Sequence, residues 1–149
     1  MNTVKINREG LPVADAATPP EWADGIESFT LAVLEKLKKK NWDLSLLFCD
    51  NKTIRNLNRQ YRNRDEATDV LSFIMGETEG ERFLPGDIAV SLEMVKENAE
   101  AFEVSPAEEL RRLLIHGILH LSGMDHASNG KGEPMLTLQE QLLGDISEA

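Results

Sequence analysis

The amino-acid sequence predicts an α+β fold with about four strands and five helices. Two hydrophobic patterns support this prediction. Some segments alternate apolar and polar residues, as strands do, and others repeat apolar residues every three or four positions, as helices do. These segments are interspersed along 149 residues, a length that suits one domain. Because no repeat or linker divides the chain, we expect residues 1–149 to form a single domain.

The first third of the chain predicts two strands and one helix. Alternating apolar residues indicate a short strand over Thr3–Asn7. The segment Gly10–Pro20 contains three prolines and is typical of a loop. Apolar residues then follow helical spacing over Trp22–Lys40, which predicts an amphipathic helix. Over Trp42–Cys49 they alternate again, which predicts a second strand.

A helix and two more strands are expected in the middle of the chain. Asp50 can cap a helix that runs to about Tyr61, with Ile54, Leu57 and Tyr61 facing inward. The first of the two strands is predicted over Asp69–Met75. The second is predicted over Asp87–Ser91 and follows a turn at Pro85-Gly86.

Three helices are expected to complete the fold. Ser91 can cap one whose apolar stripe consists of Leu92, Val95, Ala99 and Phe102. The segment Ser105–Glu108 has a capping serine, a proline in the first turn and a glutamate able to close a capping box. We expect that helix to run through Leu121 and stop at Gly123. A last helix is predicted over Glu133–Ile146.

All three histidines of the chain lie within residues 116–126. His116 and His120 are four residues apart on a predicted helix, so their imidazoles share one face. Gly123 can turn the chain back and bring His126 to the same place. Three imidazoles would leave a fourth tetrahedral position open for water, as in catalytic zinc sites. We therefore predict one zinc ion bound by His116, His120 and His126; ordinary histidines and a noncatalytic metal site are the alternatives.

The histidine spacing also matches that of metzincin proteases, which carry a glutamate general base directly after the first histidine. Here that position is Gly117, which weakens the peptidase interpretation. A zinc ion can still lower the pKa of a water molecule to about 7 and polarise a phosphoryl oxygen. Asp125 is a candidate proton acceptor or partner of a ligand, and a solvent-facing loop aspartate is the equal alternative.

Four arginines lie close together in an otherwise acidic chain of net charge −10. They are Arg55, Arg59, Arg62 and Arg64. The planar guanidinium group suits phosphate oxygens and could stabilise charge beside a metal, although a solvated helix face is the plainer interpretation. The net charge argues against broad, charge-driven binding of nucleic acid, so an anionic substrate would need a local basic patch or a metal.

The remaining composition indicates a cytoplasmic protein. Cys49 is the single cysteine of the chain, so no internal disulfide can form, which suits a reducing cytosol. The sequence shows neither a signal peptide nor an apolar run long enough to span a membrane.

Together these motifs resemble the YbeY family of metal-dependent endoribonucleases, which are linked to ribosomal RNA maturation. The matching segments are L-N at 57–58, Y-R at 61–62, Asp65, T-D-V-L-S-F at 68–73, G-D-I at 86–88 and the histidine motif at 116–126. The resemblance implies a small mixed sheet with the metal-binding helix packed on it. It also implies three histidine ligands, with Arg62 as the functional arginine.

The resemblance leads to a specific functional expectation. We expect a zinc-dependent endoribonuclease specific for single strands, acting in rRNA processing and ribosome maturation. Its partners would be an rRNA precursor and ribosomal subunit proteins, with no membrane. The alternatives are a metallopeptidase-like hydrolase and a ribosome assembly factor with a structural metal. Arg62 and Asp125 are the candidate catalytic residues.

Overall fold

Four strands form one mixed sheet in the computed structural model, which describes residues 1–9, 20–124 and 134–147. The strands are β1 (Thr3–Glu9), β2 (Asp43–Cys49), β3 (Val70–Glu79) and β4 (Arg82–Ser91). Their order across the sheet is β1-β2-β4-β3. β2 pairs in parallel with both β1 and β4, and β3 is an antiparallel edge strand.

Five α-helices accompany the sheet in the described part of the chain, so the predicted α+β fold is confirmed. They are α1 (Ile26–Lys36), α2 (Asn51–Arg62), α3 (Leu92–Phe102), α4 (Pro106–Leu121) and α5 (Pro134–Ser147). As predicted, the side chains of Asp50, Ser91 and Ser105 accept hydrogen bonds from first-turn amides of α2, α3 and α4. None of the described helices is long and apolar enough to cross a membrane.

The main hydrophobic core lies between α4 and one face of the sheet. β2 and β4 contribute Leu44, Leu46, Phe48, Ile88 and Val90. Residues of α1, α3 and α5 belong to the same buried cluster and pack around α4. Most of α4 is therefore buried, and its orientation on the sheet determines where its polar side chains point.

In the described residues, α2 covers only part of the opposite face of the sheet. Ile54 of α2 is buried against Cys49, Leu71 and Ala89. Beside this patch, one strip of the sheet stays open. Ser45, Asp87 and Phe73 are in register across that strip and line a groove.

The predicted helix over Trp22–Lys40 is wrong at both ends. α1 is shorter because Gly25 has a φ of +74° before it and Lys38 has a φ of +59° after it. Neither conformation continues a right-handed helix. Trp22 lies in a separate 3-10 turn over Glu21–Ala23. The predicted Gly10–Pro20 loop falls on residues that lie, except for Pro20, outside the described ones.

The predicted Pro85-Gly86 turn is also wrong, because both residues lie within β4. The chain instead turns between β3 and β4 at Gly80, which has a φ of +62°. Gly86 has a different purpose: a Cβ atom there would lie 2.0 Å from the carbonyl oxygen of Phe73. Glycine is therefore required by the close approach of β3 to β4.

Two side chains predicted to face inward are exposed instead. Tyr61 is 61% exposed and Phe102 is 63% exposed, although both follow the apolar helical spacing. Each lies in the last turn of its helix. On α2, Asn58 is buried in place of Tyr61, and its Nδ2 donates to the carbonyl oxygen of Glu66.

Candidate functional site

His116 and His120 lie one turn apart on α4 and face the same cleft. Their Nε2 atoms are 3.1 Å apart. The two rings meet edge to face, with centroids 4.7 Å apart. α4 ends after them at Leu121, and Gly123 follows with a φ of +94°. The helix thus stops where the glycine was predicted to stop it.

A chain of hydrogen bonds holds the ring of His116. Its Nδ1 is 2.7 Å from Oε1 of Gln139 on α5. Because an amide oxygen only accepts, Nδ1 carries the hydrogen of this bond, and Nε2 is the ring nitrogen that faces His120. Nε2 of Gln139 donates to Glu140 at 3.1 Å, which sets the orientation of the amide. Arg112 in turn donates to Glu140 at 3.0 Å.

The two imidazoles fit a zinc ion. Zinc–nitrogen bonds are about 2.0–2.1 Å long, so two nitrogens 3.1 Å apart can ligate one ion. A ligand histidine usually donates its other ring N–H to an oxygen acceptor, as His116 does to Gln139. Within the described residues there is no group of three or more potential metal ligands. The third predicted ligand, His126, and the candidate Asp125 both lie outside those residues.

A cleft of about 470 Å³ opens beside the two histidines. Its other lining residues come from β3, from the segment before β3 and from the end of α4: Asp69, Val70, Leu71, Ser72, Ile74, Gly123 and Met124. Arg62 is the last residue of α2, and its side chain also lines the cleft. Its Nη2 donates to the carbonyl oxygen of Ser72 at 2.7 Å. The structure therefore places Arg62 in the same cleft as His116 and His120.

Two of the other three arginines of the predicted cluster are paired with Asp65. Arg55 donates to both carboxylate oxygens, at 2.9 and 3.2 Å. These bonds lower the pKa of Asp65 below its ordinary value. Arg59 is 4.0 Å from the same carboxylate. Arg64 is exposed and lines neither the cleft nor the groove on the sheet. Of the four, Arg62 alone reaches the histidine cleft in the described structure.

Gly117 faces the sheet and cannot be replaced by the glutamate of a metzincin without displacing its neighbours. A Cβ atom at this position would lie 3.0 Å from two side-chain carbons of Ile88 and 3.2 Å from Oγ of Ser72. The glycine lets α4 approach β3 and β4 closely. Gly117, the residue after the first histidine, therefore allows α4 to pack on the sheet. This position offers no side chain that could act as the general base of a peptidase.

Gln139, the partner of His116, is a site residue that the sequence motifs did not identify. The residue is buried on α5 together with Met135, Leu142 and Leu143. A glutamine at helical spacing among apolar residues predicts a buried amide, and buried amides are nearly always hydrogen-bonded. That pattern could have identified Gln139, although it could not have named His116 as its partner.

Comparison with known proteins assigns the family. The family model described as endoribonuclease YbeY matches residues 14–147, which is nearly the whole chain. The chain belongs to the YbeY family. The YbeY-type segments T-D-V-L-S-F and Y-R contribute Ser72 and Arg62 to the cleft, beside His116 and His120. The resemblance inferred from these motifs is thus confirmed.

Individual YbeY relatives match most of the chain. The protein named endoribonuclease YbeY from Treponema denticola is 54% identical over 123 residues, which is 79% of each chain. The protein of that name from Treponema pallidum is 46% identical over 151 residues, covering 96% of this chain and 89% of its own. The solution structure of TM1509 from Thermotoga maritima matches with a TM-score of 0.67 at 26% identity, covering 97% of this chain and 89% of its own.

Proposed function

We propose that this YbeY-family protein is a zinc-dependent endoribonuclease that cleaves single-stranded RNA in the cytoplasm, during rRNA processing and ribosome maturation. One observation carries the proposal: two imidazole Nε2 atoms, 3.1 Å apart, share a cleft with a guanidinium group. Relatives at 46–54% identity that bear the name endoribonuclease YbeY support RNA as the substrate. Ribosomal subunit proteins are proposed as further partners.

In this proposal His116, His120 and His126 hold the zinc ion. A bound zinc ion would polarise a phosphoryl oxygen and lower the pKa of a water molecule to about 7. The protein contributes orientation: the bond to Gln139 keeps the His116 ring in one tautomer and one position. Asp125, next to His126 in the sequence, is proposed as the proton acceptor.

Arg62 is proposed to bind the phosphate that is cleaved. One of its five N–H donors is used on the Ser72 carbonyl, which anchors the group at the cleft wall. The remaining donors are available for phosphate oxygens and for the charge that develops on them. Arg55 and Arg59 are unsuitable for this role because Asp65 already pairs with them.

The experiment that tests this function is cleavage of a short, end-labelled single-stranded RNA by the purified protein. We expect cleavage to disappear on chelation and to return when zinc is added, and His120→Ala to be inactive. Arg62→Ala should lower kcat by about 100- to 1,000-fold if its guanidinium stabilises developing charge. Arg64→Ala, an exposed arginine two residues away, is the matched control and should keep full activity. Undiminished cleavage by metal-free protein would refute the proposal.

The same variants separate catalysis from a binding role in ribosome assembly. A structural metal predicts that chelation lowers the melting temperature while cells carrying Arg62→Ala keep normal rRNA ends. A catalytic metal predicts unprocessed rRNA ends in those cells. Casein digestion by the unmodified protein would instead favour the peptidase alternative.

A further inference from the structure

A second cavity lies on the sheet face opposite α4. It is a groove of about 970 Å³, at the upper end of the ~300–1,000 Å³ that is usual for ligand sites. Ser45, Asp87 and Phe73 form part of its floor, and Leu57 and Tyr61 of α2 form a wall. The proposed metal chemistry uses none of these side chains.

Tyr61 presents an aromatic ring to this groove. The residue is 61% exposed, and its ring makes an edge-type contact with Phe73, with centroids 5.3 Å apart and an interplanar angle of 67°. The contact holds the ring in position while most of its surface stays accessible. An accessible, positioned aromatic ring is the usual platform on which proteins stack an unpaired nucleobase.

The groove and the histidine cleft share a wall. Arg62, Ser72 and Ile74 line both cavities. The bond from Arg62 to the Ser72 carbonyl places the guanidinium group at this shared wall. A single RNA strand in an extended conformation could therefore pass from the groove, over Arg62, to His116 and His120.

The charges in the groove indicate where the phosphates and the bases of such an RNA strand would lie. Arg62 and Arg8 line the groove and attract phosphates. The carboxylate of Asp87 lies in the floor and repels phosphate, while it can accept hydrogen bonds from a base or a ribose hydroxyl. Phosphates are thus favoured beside the arginines, and the uncharged part of a nucleotide is favoured over the floor.

We propose that this groove binds the base of one unpaired RNA nucleotide next to the phosphodiester held at the histidines. Tyr61 stacks on the base, and Arg62, which lines both cavities, binds the neighbouring phosphodiester that is cleaved. The inference rests on the proposed function, since it takes single-stranded RNA as the ligand. It adds a nucleotide-binding site to the metal site and names Tyr61 as a substrate-contacting residue.

Binding of a short, fluorescein-labelled single-stranded RNA, followed by anisotropy, tests the role of Tyr61. Tyr61→Ala should raise Kd about tenfold, because stacking on one aromatic side chain contributes that order of affinity per base. Tyr61→Phe should bind like the unmodified protein. Phe102→Ala on α3 is the matched control: Phe102 is 63% exposed but lies outside both cavities. Equal Kd values for Tyr61→Ala and Phe102→Ala would overturn the inference.

A scan of abasic sites along the same RNA locates the stacked base. For the unmodified protein, one abasic position close to the cleaved bond should lower kcat/KM about tenfold. For Tyr61→Ala the same abasic site should have almost no further effect, because the stacking partner is already missing. Independent, additive losses would contradict the inference even if RNA is cleaved. If the unmodified protein cleaves no RNA, the proposed function fails, and the anisotropy result alone decides whether the groove binds a base.

Discussion

Gln139 illustrates how single residues prepare the candidate site by holding other side chains. Its Oε1 accepts from Nδ1 of His116, and its Nε2 donates to Glu140, which Arg112 holds. Arg62 is anchored in a similar way by the carbonyl oxygen of Ser72. The groups proposed to meet metal and phosphate are thus oriented before either arrives, which lowers the entropic cost of binding.

We predict that Gln139→Leu lowers the affinity for zinc about 10- to 100-fold, because the ring of His116 loses the acceptor that sets its tautomer. Competition with a chromophoric zinc chelator measures the affinity. Gln141→Leu is the control, since Gln141 is an exposed glutamine on the same helix. Equal affinities in the two variants would show that Gln139 does not act on the metal site.

At the level of the secondary-structure elements, α4 connects the core to the site. Gly117 lets the helix lie close to β3 and β4, and the neighbouring His116 faces the cleft. Near its start the helix also buries Glu109, which is 3% exposed. Asn98 of α3 bridges Glu109 and Asp69 with bonds of 3.3 and 3.1 Å. Packing and a buried polar cluster therefore both fix the helix on the sheet.

We predict that Glu109 makes stability depend on pH. Burial raises the pKa of Glu109 above its ordinary value of 4.5, and Asn98 and Arg112 offset this only in part. A carboxyl with a raised pKa binds its proton more tightly in the folded state, so its contribution to stability falls as pH rises above about 4.5. Relative to the unmodified protein, Glu109→Gln should therefore gain stability as the pH rises from about 4.5 towards neutral.

Urea denaturation at a series of pH values measures this difference. Glu108→Gln is the control, because Glu108 also pairs with Arg112 but its side chain is 43% exposed. The prediction fails if the stability difference between Glu109→Gln and the unmodified protein stays constant over that pH range.

Two glycines in helices should respond oppositely to substitution. A Cβ atom added at Gly144 on α5 would meet open space, so Gly144→Ala should stabilise the protein by about 0.5–1 kcal/mol through helix propensity. Gly117→Glu should destabilise it by about 1–3 kcal/mol, because the new side chain collides with Ile88. Thermal denaturation compares the two variants. A stable, unperturbed Gly117→Glu protein would contradict the close packing of α4 on the sheet.

For the whole molecule, the net charge of −10 limits how RNA, the proposed substrate, would be bound. A protein of this charge repels a polyanion over most of its surface, so the affinity must come from local contacts. In the described structure the two cavities together present Arg8 and Arg62 as arginine side chains. Stacking on Tyr61 and coordination of the metal would supply the rest, and neither depends strongly on salt.

We therefore predict a weak dependence of RNA affinity on salt concentration. Each phosphate contact on a single strand contributes a slope of about −0.7 to log K against log salt, so two contacts give about −1 to −2. Anisotropy titrations from about 50 to 200 mM salt would measure this slope. A slope of about −4 or steeper would mean that a larger basic surface binds the RNA.

Local features of the sequence determined where several helices and strands of this protein begin and end. The caps at Asp50, Ser91 and Ser105, the helix end at Gly123 and the alternation in β2 are visible in the sequence because each depends on neighbouring residues. The common helix face of His116 and His120 follows from their spacing for the same reason.

Tertiary structure decided what depends on distant residues. Arg62 joins the histidines, and Gln139 holds one of them, only because α2, β3, α4 and α5 pack together. Tyr61 has the spacing of a core residue, yet it is exposed because it borders the groove that stays open on the sheet beside α2. Hydrophobic periodicity identifies which side of a helix is apolar, but the extent of the surface that packs against the helix determines how much of that side is buried.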